Sequence, residues 1–419
     1  STRFRLSLDD HGARRAASAL VLSGFVAGLI VPPFARWLIR RLTHQQRGTT
    51  HAVRGGSVRI AKDELVKVVS SCLAAVGATE AHANAAAELL VFADSRGIPS
   101  HGVNRADFYA AELEAGLVDG KATPAVLKDE ESCALLDGRN AMGVVVSLEA
   151  MRIAIRKARA HGVGWVVCKG SNHFGAAGYW ASLALAEGLI GFAFTNTAPF
   201  MVPTGGSTRA VGTNPICCFA PAAFGGSLQL DMATTTVPIG KVEVMHRLGK
   251  ALPLGWGVNS HGKPSADAAE VCQAGGLTPL GGDEETAGYK GYALGMLVEV
   301  LTSVMSGAAI GPDVGGWTTS RERPMNFGHC FVVVDPARFG DGFGVRLASY
   351  MKCMHELPGH VKVPGDPEKE LEEDARLHGV LLHEDVAASV KAMAERLGVG
   401  VPPVLARVER KARAHVYSK

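Results

Sequence analysis

One stretch constrains the fold more than any other. Between residues 162 and 196 an apolar strand, a turn carrying a histidine, a small-residue helix and a second apolar strand follow one another. Gly162–Cys168 (GVGWVVC) is β-branched, aromatic and bounded by glycine, as a short buried strand is. AAGYWASLALAEG predicts a helix that stops at Gly188, and LIGFAFTN predicts a second strand. His173 therefore falls at a strand's carboxyl end, near a helix amino terminus. In an α/β layer that position collects ligands, because unpaired N–H groups and the helix dipole face it. An imidazole there titrates near neutrality and can exchange a proton with a substrate hydroxyl. The competing reading is a loop histidine bonded to a backbone carbonyl, and this segment alone does not separate the two.

A second constellation favours the first reading. The segment Ser95 to Arg105 (SRGIPSHGVNR) follows an amphipathic helix, Glu80 to Asp94, and its Pro99 and glycines mark a loop. VNRADFYAAELEAG, from Val103 to Gly116, predicts a further helix. His101, Arg105 and Tyr109 are spaced i, i+4, i+8, so they are expected on one face of that helix or its first turn. A guanidinium fork grips a carboxylate with two hydrogen bonds, and an adjacent imidazole can handle a hydroxyl proton. The alternative is a solvated helix face bearing unrelated polar residues.

With these pieces in place the chain resembles the type-2 malate/L-lactate dehydrogenase family, which includes ureidoglycolate, sulfolactate and related 2-hydroxy-acid or imino-acid oxidoreductases. The resemblance rests on SRGIPSHGVNR, NHFGAAGYW, TNTAPFMVPTGG, GTNP, the DMATT stretch and GYKGY, in order from about Arg59 to about Gly398. It implies an α/β fold that is not Rossmann, of the L-sulfolactate dehydrogenase-like kind, and a homodimeric enzyme using NAD or NADP. It also implies that His173 accepts the proton and that Ser100, His101 and Arg105 sit at the substrate; Tyr109 and Asn172 are expected to line it. Cofactor contacts are implied at Thr197, at Asp231, Met232 and Ala233, at Lys290, and at Pro364, Gly365 and Asp366. At the last of these many family members carry glutamate, and the stretch before it is shortened. GGDEETAGYKGY is itself a glycine-bounded loop opening an apolar helix, so Lys290 at a helix start suits a pyrophosphate. A lone exposed lysine would read more simply as a solvated one.

The implied reaction moves a hydride between the nicotinamide and a small 2-hydroxy acid such as malate or lactate. Two alternatives remain at this stage: an NADPH-dependent reductase of a cyclic imino acid, and a catalytically inactive homologue serving as a binding subunit. The chain's 419 residues, 47% hydrophobic and 20% charged, suit a globular enzyme with a sizeable core. A formal net charge of +3 with no basic patch interleaved with aromatics argues against nucleic acid as a partner. Eight cysteines without a C-x-x-C pair suggest a reducing compartment with neither disulfides nor zinc, and no metal site is expected. Two near-motifs are set aside. Gly257–Lys263 lacks the Ser/Thr of a phosphate-binding loop, and HELPGH has the wrong spacing for a helical zinc site. No G-x-G-x-x-G follows a strand.

Three segments are expected along the chain. Residues 1–58 form an amino-terminal extension with an apolar run, Ala16–Val31, flanked by Arg14, Arg15, Arg36, Arg40 and Arg41. Sixteen residues fall short of the roughly 20 that span a bilayer, so a presequence, an anchor or an unstructured appendage all remain open. The enzyme is accordingly expected in the cytoplasm, or in mitochondria if the extension is a presequence, with membrane contact only if the apolar segment is retained. Residues 59–125 with 340–419 are expected to build a mainly helical domain, helical from SVRIAKDELV onward, with PGDPEKELEEDARLHG as a linker with charged helical turns. Residues 126–339 are expected to form the α/β cofactor-binding domain.

Overall fold

The computed structural model describes residues 56–247, 249–315 and 323–408. The apolar run 16–31 and the basic tract after it lie outside the described residues. Among the described residues no helix is long and apolar enough to cross a membrane.

The described chain begins with a strand, β1 (Ser57–Ile60), where the sequence predicts helix. Its partner is remote: β11 (Val380–His383) offers an edge, and Ile60 pairs antiparallel with Val380. Helices α1 (Lys62–Ala75) and α2 (Glu80–Ser95) follow and pack on each other. The Thr79 hydroxyl caps α2 by accepting from the His82 N–H at 3.2 Å. Small residues on α2 (Ala83, Ala86, Ala87) are completely buried, which lets this helix lie against both its neighbours and the central layer. A third helix, α3 (Ala106–Glu114), completes this part.

The centre is a sheet. In chain order it takes β2 (Ala125–Asp129), β3 (Cys133–Asp137), helix α4 (Gly143–His161), β4 (Val163–Ser171), helix α5 (Ala177–Ala186), β5 (Ile190–Thr195), β6 (Ile216–Pro221) and β7 (Ser227–Met232). Next come α6 (Ile239–Arg247), the short pair β8 (Gly257–Val258) and β9 (Gly276–Leu277) around α7 (Ala268–Gln273), then α8 (Gly288–Glu299), which continues as a π turn over Val300–Val304. The last sheet strand is β10 (Phe327–Val334), followed by α9 (Phe343–His355), α10 (Asp366–His378) and α11 (Glu384–Arg396). The spatial order is β2-β3-β4-β10-β5-β6-β7. Only β3 and β4 run parallel; β10 inserts between β4 and β5 and pairs antiparallel with both.

The two faces of this sheet differ. On one, α4 and α5 cover Val166, Cys168, Ala193 and Phe331 in the main core. Contact there is close because glycines face the helices: a Cβ on Gly164 would stand 2.0 Å from the Ala154 carbonyl oxygen, and one on Gly191 2.7 Å from Ala184 Cβ. On the other face Leu135, Trp165, Phe192 and Phe194 remain half-buried around a small cluster that includes Leu301 of the π turn. The segment expected as a linker with charged helical turns, 364–379, forms one regular helix, α10. A glycine at φ +98°, Gly365, starts it. Pairs such as Arg376–Glu373 at 2.7 Å line its exposed side, while Arg59 reaches Asp374 at 2.8 Å.

Gly164→Ala is expected to destabilise the fold by roughly 1–3 kcal/mol, because backbone on both sides of the contact must move. Gly400→Ala, where nothing lies within 4 Å, should stay within about 0.5 kcal/mol. Urea unfolding midpoints of the two variants check the contrast.

Candidate active site

His173 is held by the turn on which it stands. Asn172, almost fully buried, donates from Nδ2 to the Ala141 carbonyl at 2.9 Å and to Asn140 Oδ1 at 3.1 Å, which ties the end of β4 to the start of α4. A Cβ on Gly143 would come within 2.3 Å of the carbonyl oxygens of Asn172 and His173, so this approach needs glycine. Gly175 at φ +73° turns the chain, and the Trp180 indole N–H locks the Phe174 carbonyl at 2.9 Å. The backbone on both sides of His173 is thereby fixed. Its Nδ1 lies 2.7 Å from Tyr109 Oη, and the Gly175 N–H donates to the same nitrogen at 3.3 Å.

The second element comes from the loop after α2. Two 3₁₀ turns, Pro99–His101 and Val103–Arg105, precede α3. The prediction of one shared α-helical face for His101, Arg105 and Tyr109 is therefore corrected: only Tyr109 lies on the α-helix. Asp94 explains the bend. Its carboxylate accepts the Val103 N–H at 2.7 Å, and it would stand 2.0 Å from a Cβ on Gly102. The three side chains still converge. The His101 ring stacks on His173 with centroids 5.5 Å apart at 17°, Ser100 Oγ lies 2.9 Å from His101 Nδ1, and Arg105 Nε donates to the Ser100 carbonyl at 2.8 Å. Tyr109, Asn172 and His173 also line a cavity with Glu112, Met142 and Val144.

Burial keeps both rings neutral. Desolvation, then the Arg105 charge, lowers the His101 pKa to about 4. Desolvation, then His101, Arg105 and His329, holds His173 well below the usual histidine range. Burial and the nearby Glu112 push the Tyr109 phenol far up, so it stays protonated. A neutral His173 with an intact Tyr109 hydroxyl is ready to take a proton, and the guanidinium of Arg105 beside it suits an anion.

Sequence reasoning missed His329. It is completely buried on β10, between Ser171 Oγ at 2.7 Å and Thr195 Oγ1 at 2.8 Å, and it stacks on Phe174 at 4.8 Å. Burial lowers its pKa to about 3. The one signal available was a polar residue opening the apolar run HCFVVV, which marks a hydrogen-bonded core histidine as readily as a functional one.

The residues implied for a cofactor gather in two groups. Asp231, at the end of β7, accepts the Gly178 N–H at 2.7 Å, which joins it to the first turn of α5, five residues beyond His173. Desolvation raises its pKa to about 6. Gly365 packs on Gln229, and the Gln229 N–H donates to the Pro364 carbonyl at 3.0 Å, so this loop and β7 form one wall. Asp366 is committed elsewhere, bonded to His355 Nε2 at 2.7 Å and to the Val363 N–H at 3.0 Å. Arg96 is a further residue the sequence did not single out. Buried between the Phe92 and Phe219 rings, it pairs with Glu372 and Gln229 and so braces the loop of His101 against that wall.

The second group lies where β7 runs out. Met232 closes the strand against Ile216, Ala233 follows, and Thr234 bonds the Asn214 carbonyl at 3.1 Å. The Thr197 hydroxyl accepts the Thr213 N–H at 2.9 Å and donates to the Ala198 carbonyl at 3.2 Å, so it serves the turn itself. The Leu280 N–H donates to the Thr234 carbonyl, and Gly291 packs on Leu280, which brings the first turn of α8 to this corner. Lys290 stands exposed on that turn, its backbone N–H donating to the Ala287 carbonyl at 3.0 Å.

Known proteins share this chain's pattern. A family model described as malate/L-lactate dehydrogenase matches residues 60–391. Over 306 residues the chain is 40% identical to a malate dehydrogenase of Pyrococcus abyssi, covering 73% of this chain and 82% of that protein. It is 31% identical to the NAD(+) ureidoglycolate dehydrogenase of Escherichia coli O157:H7 over 78% of this chain and 94% of the other. It is also 31% identical to the (2R)-3-sulfolactate dehydrogenase (NADP(+)) of Chromohalobacter salexigens, over 70% and 86%. The solved malate dehydrogenase from Pyrococcus horikoshii OT3 superposes with a TM-score of 0.75 at 34% identity, covering 82% of this chain and 97% of that one.

Titration of His329 links the site to stability. The unfolded chain protonates this imidazole near pH 6.5, the folded one only near 3, so its neutral burial stabilises the fold above pH 6.5 and is lost as the pH falls through that window. Urea unfolding should find His329→Gln less stable than the parent at pH 7. Below pH 6.5 the gap should narrow by about 1.4 kcal/mol per pH unit. A gap independent of pH would contradict the assignment.

Proposed function

The chain belongs to the malate/L-lactate dehydrogenase family, and from that premise we propose that it is an NAD(P)-dependent oxidoreductase interconverting a small 2-hydroxy acid and its 2-keto acid. One observation carries the reading: His101, Arg105 and Tyr109 meet at His173, where a fixed turn ends β4. A bound nicotinamide would supply hydride exchange with C2 of the hydroxy or keto acid. Arg105 holds the substrate carboxylate, whose charge meets a guanidinium next to two neutral rings. His173 exchanges the proton of the C2 oxygen. Ser100 and His101 orient that oxygen, and Asn172 with Tyr109 bounds the space around it.

The residues at the second wall fit a dinucleotide by their chemistry. Asp231 offers a carboxylate beside the first turn of α5, which suits ribose hydroxyls, and Lys290 on the first turn of α8 suits a pyrophosphate. Met232, Ala233, Thr197, Pro364 and Gly365 would contribute backbone and methyl contacts around them. Asp366, engaged by His355, is the least suited of the set. Residues 126–339 are proposed as the cofactor-binding part, and 59–125 with 340–419 as the part that brings the substrate loop.

A homodimer is proposed on an independent feature. Met296, Leu297, Val300, Val304 and Met305 are each 45–54% exposed along α8 and its π turn, next to the half-buried Trp165, Phe192 and Phe194. An apolar face this continuous usually marks an interface. Sedimentation of the full chain at micromolar concentration should give twice the chain mass, and Leu297→Glu should halve it.

His173→Ala should lower turnover by about 10²–10⁴-fold while NADH still binds, read as nicotinamide fluorescence. Arg105→Lys should act mainly on KM for the acid, since a point charge replaces the fork. Malate, lactate, sulfolactate and ureidoglycolate tested with each cofactor identify the substrate. Turnover of a cyclic imine alone would favour the imine-reductase alternative, and NADH binding without any turnover would favour the binding-subunit one.

A further inference from the structure

Arg96 is buried, 4% exposed, where α2 gives way to the loop of Ser100, His101 and Arg105. Its guanidinium lies 5.2 Å from the ring centroid of Phe92 on α2 and 5.7 Å from that of Phe219 on β6. From between these rings it bonds Glu372 of α10 through one arm and Gln229 Oε1 of β7 through the other. The Gln229 side chain is turned to receive it, because its Nε2 donates to Ser227 Oγ at 2.9 Å. Four elements thus meet on one planar cation, which stacking and a two-armed fork hold in place.

The two sides that it joins are each bonded internally without it. On the loop, Asp94 accepts the Val103 N–H at 2.7 Å, and Arg105 Nε donates to the Ser100 carbonyl at 2.8 Å. On the wall, the Gln229 N–H donates to the Pro364 carbonyl at 3.0 Å, and Lys369 donates to the Ser227 carbonyl. Asp231 accepts the Gly178 N–H at 2.7 Å. Behind Arg96, Leu371 of α10 fills the space a Cβ on Gly97 would need, so the sides also touch by packing. Packing of that kind limits approach but permits sliding; a fork bonded at both arms limits both.

On the reading that the acid is held at Arg105 and His173 and the dinucleotide along β7 and the Pro364 loop, we infer that Arg96 is a positioning residue that sets the register of the acid loop against the dinucleotide wall. It touches neither ligand. Reacting atoms must lie about 3–3.5 Å apart, and a misplacement of about 1 Å costs about 10²-fold. If one side slides against the other, each ligand keeps its own contacts, but the distance between C2 and the nicotinamide changes.

Arg96→Met keeps a long side chain between the rings and removes both bonds. Arg96→Lys keeps the charge, but an ammonium cannot span Glu372 and Gln229 as the fork does. In both, kcat should fall at least about tenfold, while the Kd of NADH, read by nicotinamide fluorescence, and KM for the acid change less than about threefold. Glu372→Met, at a residue 47% exposed, releases one arm from the surface and should act in the same direction by a smaller factor. Single-turnover stopped flow separates register from loss of folded protein, using whichever of malate, lactate, sulfolactate and ureidoglycolate the parent oxidises fastest. The variants should show the parent's amplitude with a lower rate constant. Deuterium at C2 should slow that rate, because the hydride step has become the slow one.

Parent-like rate constants in the Arg96 variants would overturn the inference. So would a reduced amplitude at an unchanged rate constant, a variant rate indifferent to deuterium, or an NADH Kd and KM that worsen as much as kcat. Should Arg96→Met fail to fold, Arg96→Lys and Glu372→Met carry the same test. Failure of the underlying reading looks different: the parent would then oxidise none of the acids, or His173→Ala would keep the parent's rate. An inactive His173→Ala beside unaffected Arg96 variants would sink this inference alone.

Discussion

The contact of 2.7 Å between Tyr109 and His173 joins two stretches 64 residues apart and makes them one site. Each side of it is rigid for its own reason. His173 stands on a turn locked by Asn172, Gly143 and Trp180, while Tyr109 is buried on a helix whose approach is set by Asp94 and two 3₁₀ turns. Ring stacking of His101 on His173 and a shared cavity wall add to that link between the loop of His101 and the end of β4. The chemistry asked of this place depends on atoms held within hydrogen-bond reach, which loops without such anchors do not provide.

Burial sets the charge state of the histidines around the turn. His101, His173 and His329 all have their protonation suppressed by burial, and His101 and His329 extend on either side of the turn through stacking on His173 and Phe174. The carboxyls nearby move the other way, Asp94 to about 7 and Asp231 to about 6, again because desolvation disfavours the charged form. The Arg105 guanidinium acts on both His101 and His173. A small carboxylate placed there would meet a complementary charge beside two neutral rings. Its arrival would also ease protonation of His173, since a negative charge would then offset the guanidinium that opposes it.

The sequence made local chemistry legible and long-range pairing much less so. Strand, histidine turn, helix and strand between 162 and 196 could be read because periodicity and glycine punctuation are local signals. His101 and Arg105 were found from their spacing, although that spacing suggested an α-helical face and the chain uses 3₁₀ turns instead, a choice made by the buried Asp94 carboxylate. The place of β10 between β4 and β5 was not legible, because strand partners 158 and 134 residues away leave no mark in a local window. The same holds for β1, which is a strand only because β11 lies beside it, and for His329 and Arg96, whose roles appear once their distant partners are known. Cofactor residues came from the family resemblance; the structure shows Asp231 bonded to the Gly178 N–H and Asp366 engaged by His355.

The account stands or falls on direct transfer between the C2 carbon and the nicotinamide. Incubating the full chain with NAD⁺ or NADP⁺ and 2-hydroxy acids deuterated at C2, then weighing the recovered nicotinamide by mass spectrometry, tests it most directly. A deuterium on the reduced nicotinamide, with Arg105→Met giving none at the same acid concentration, is the result expected. Reduced cofactor without deuterium, or label lost to solvent, would contradict a hydride passed from substrate to cofactor at this site.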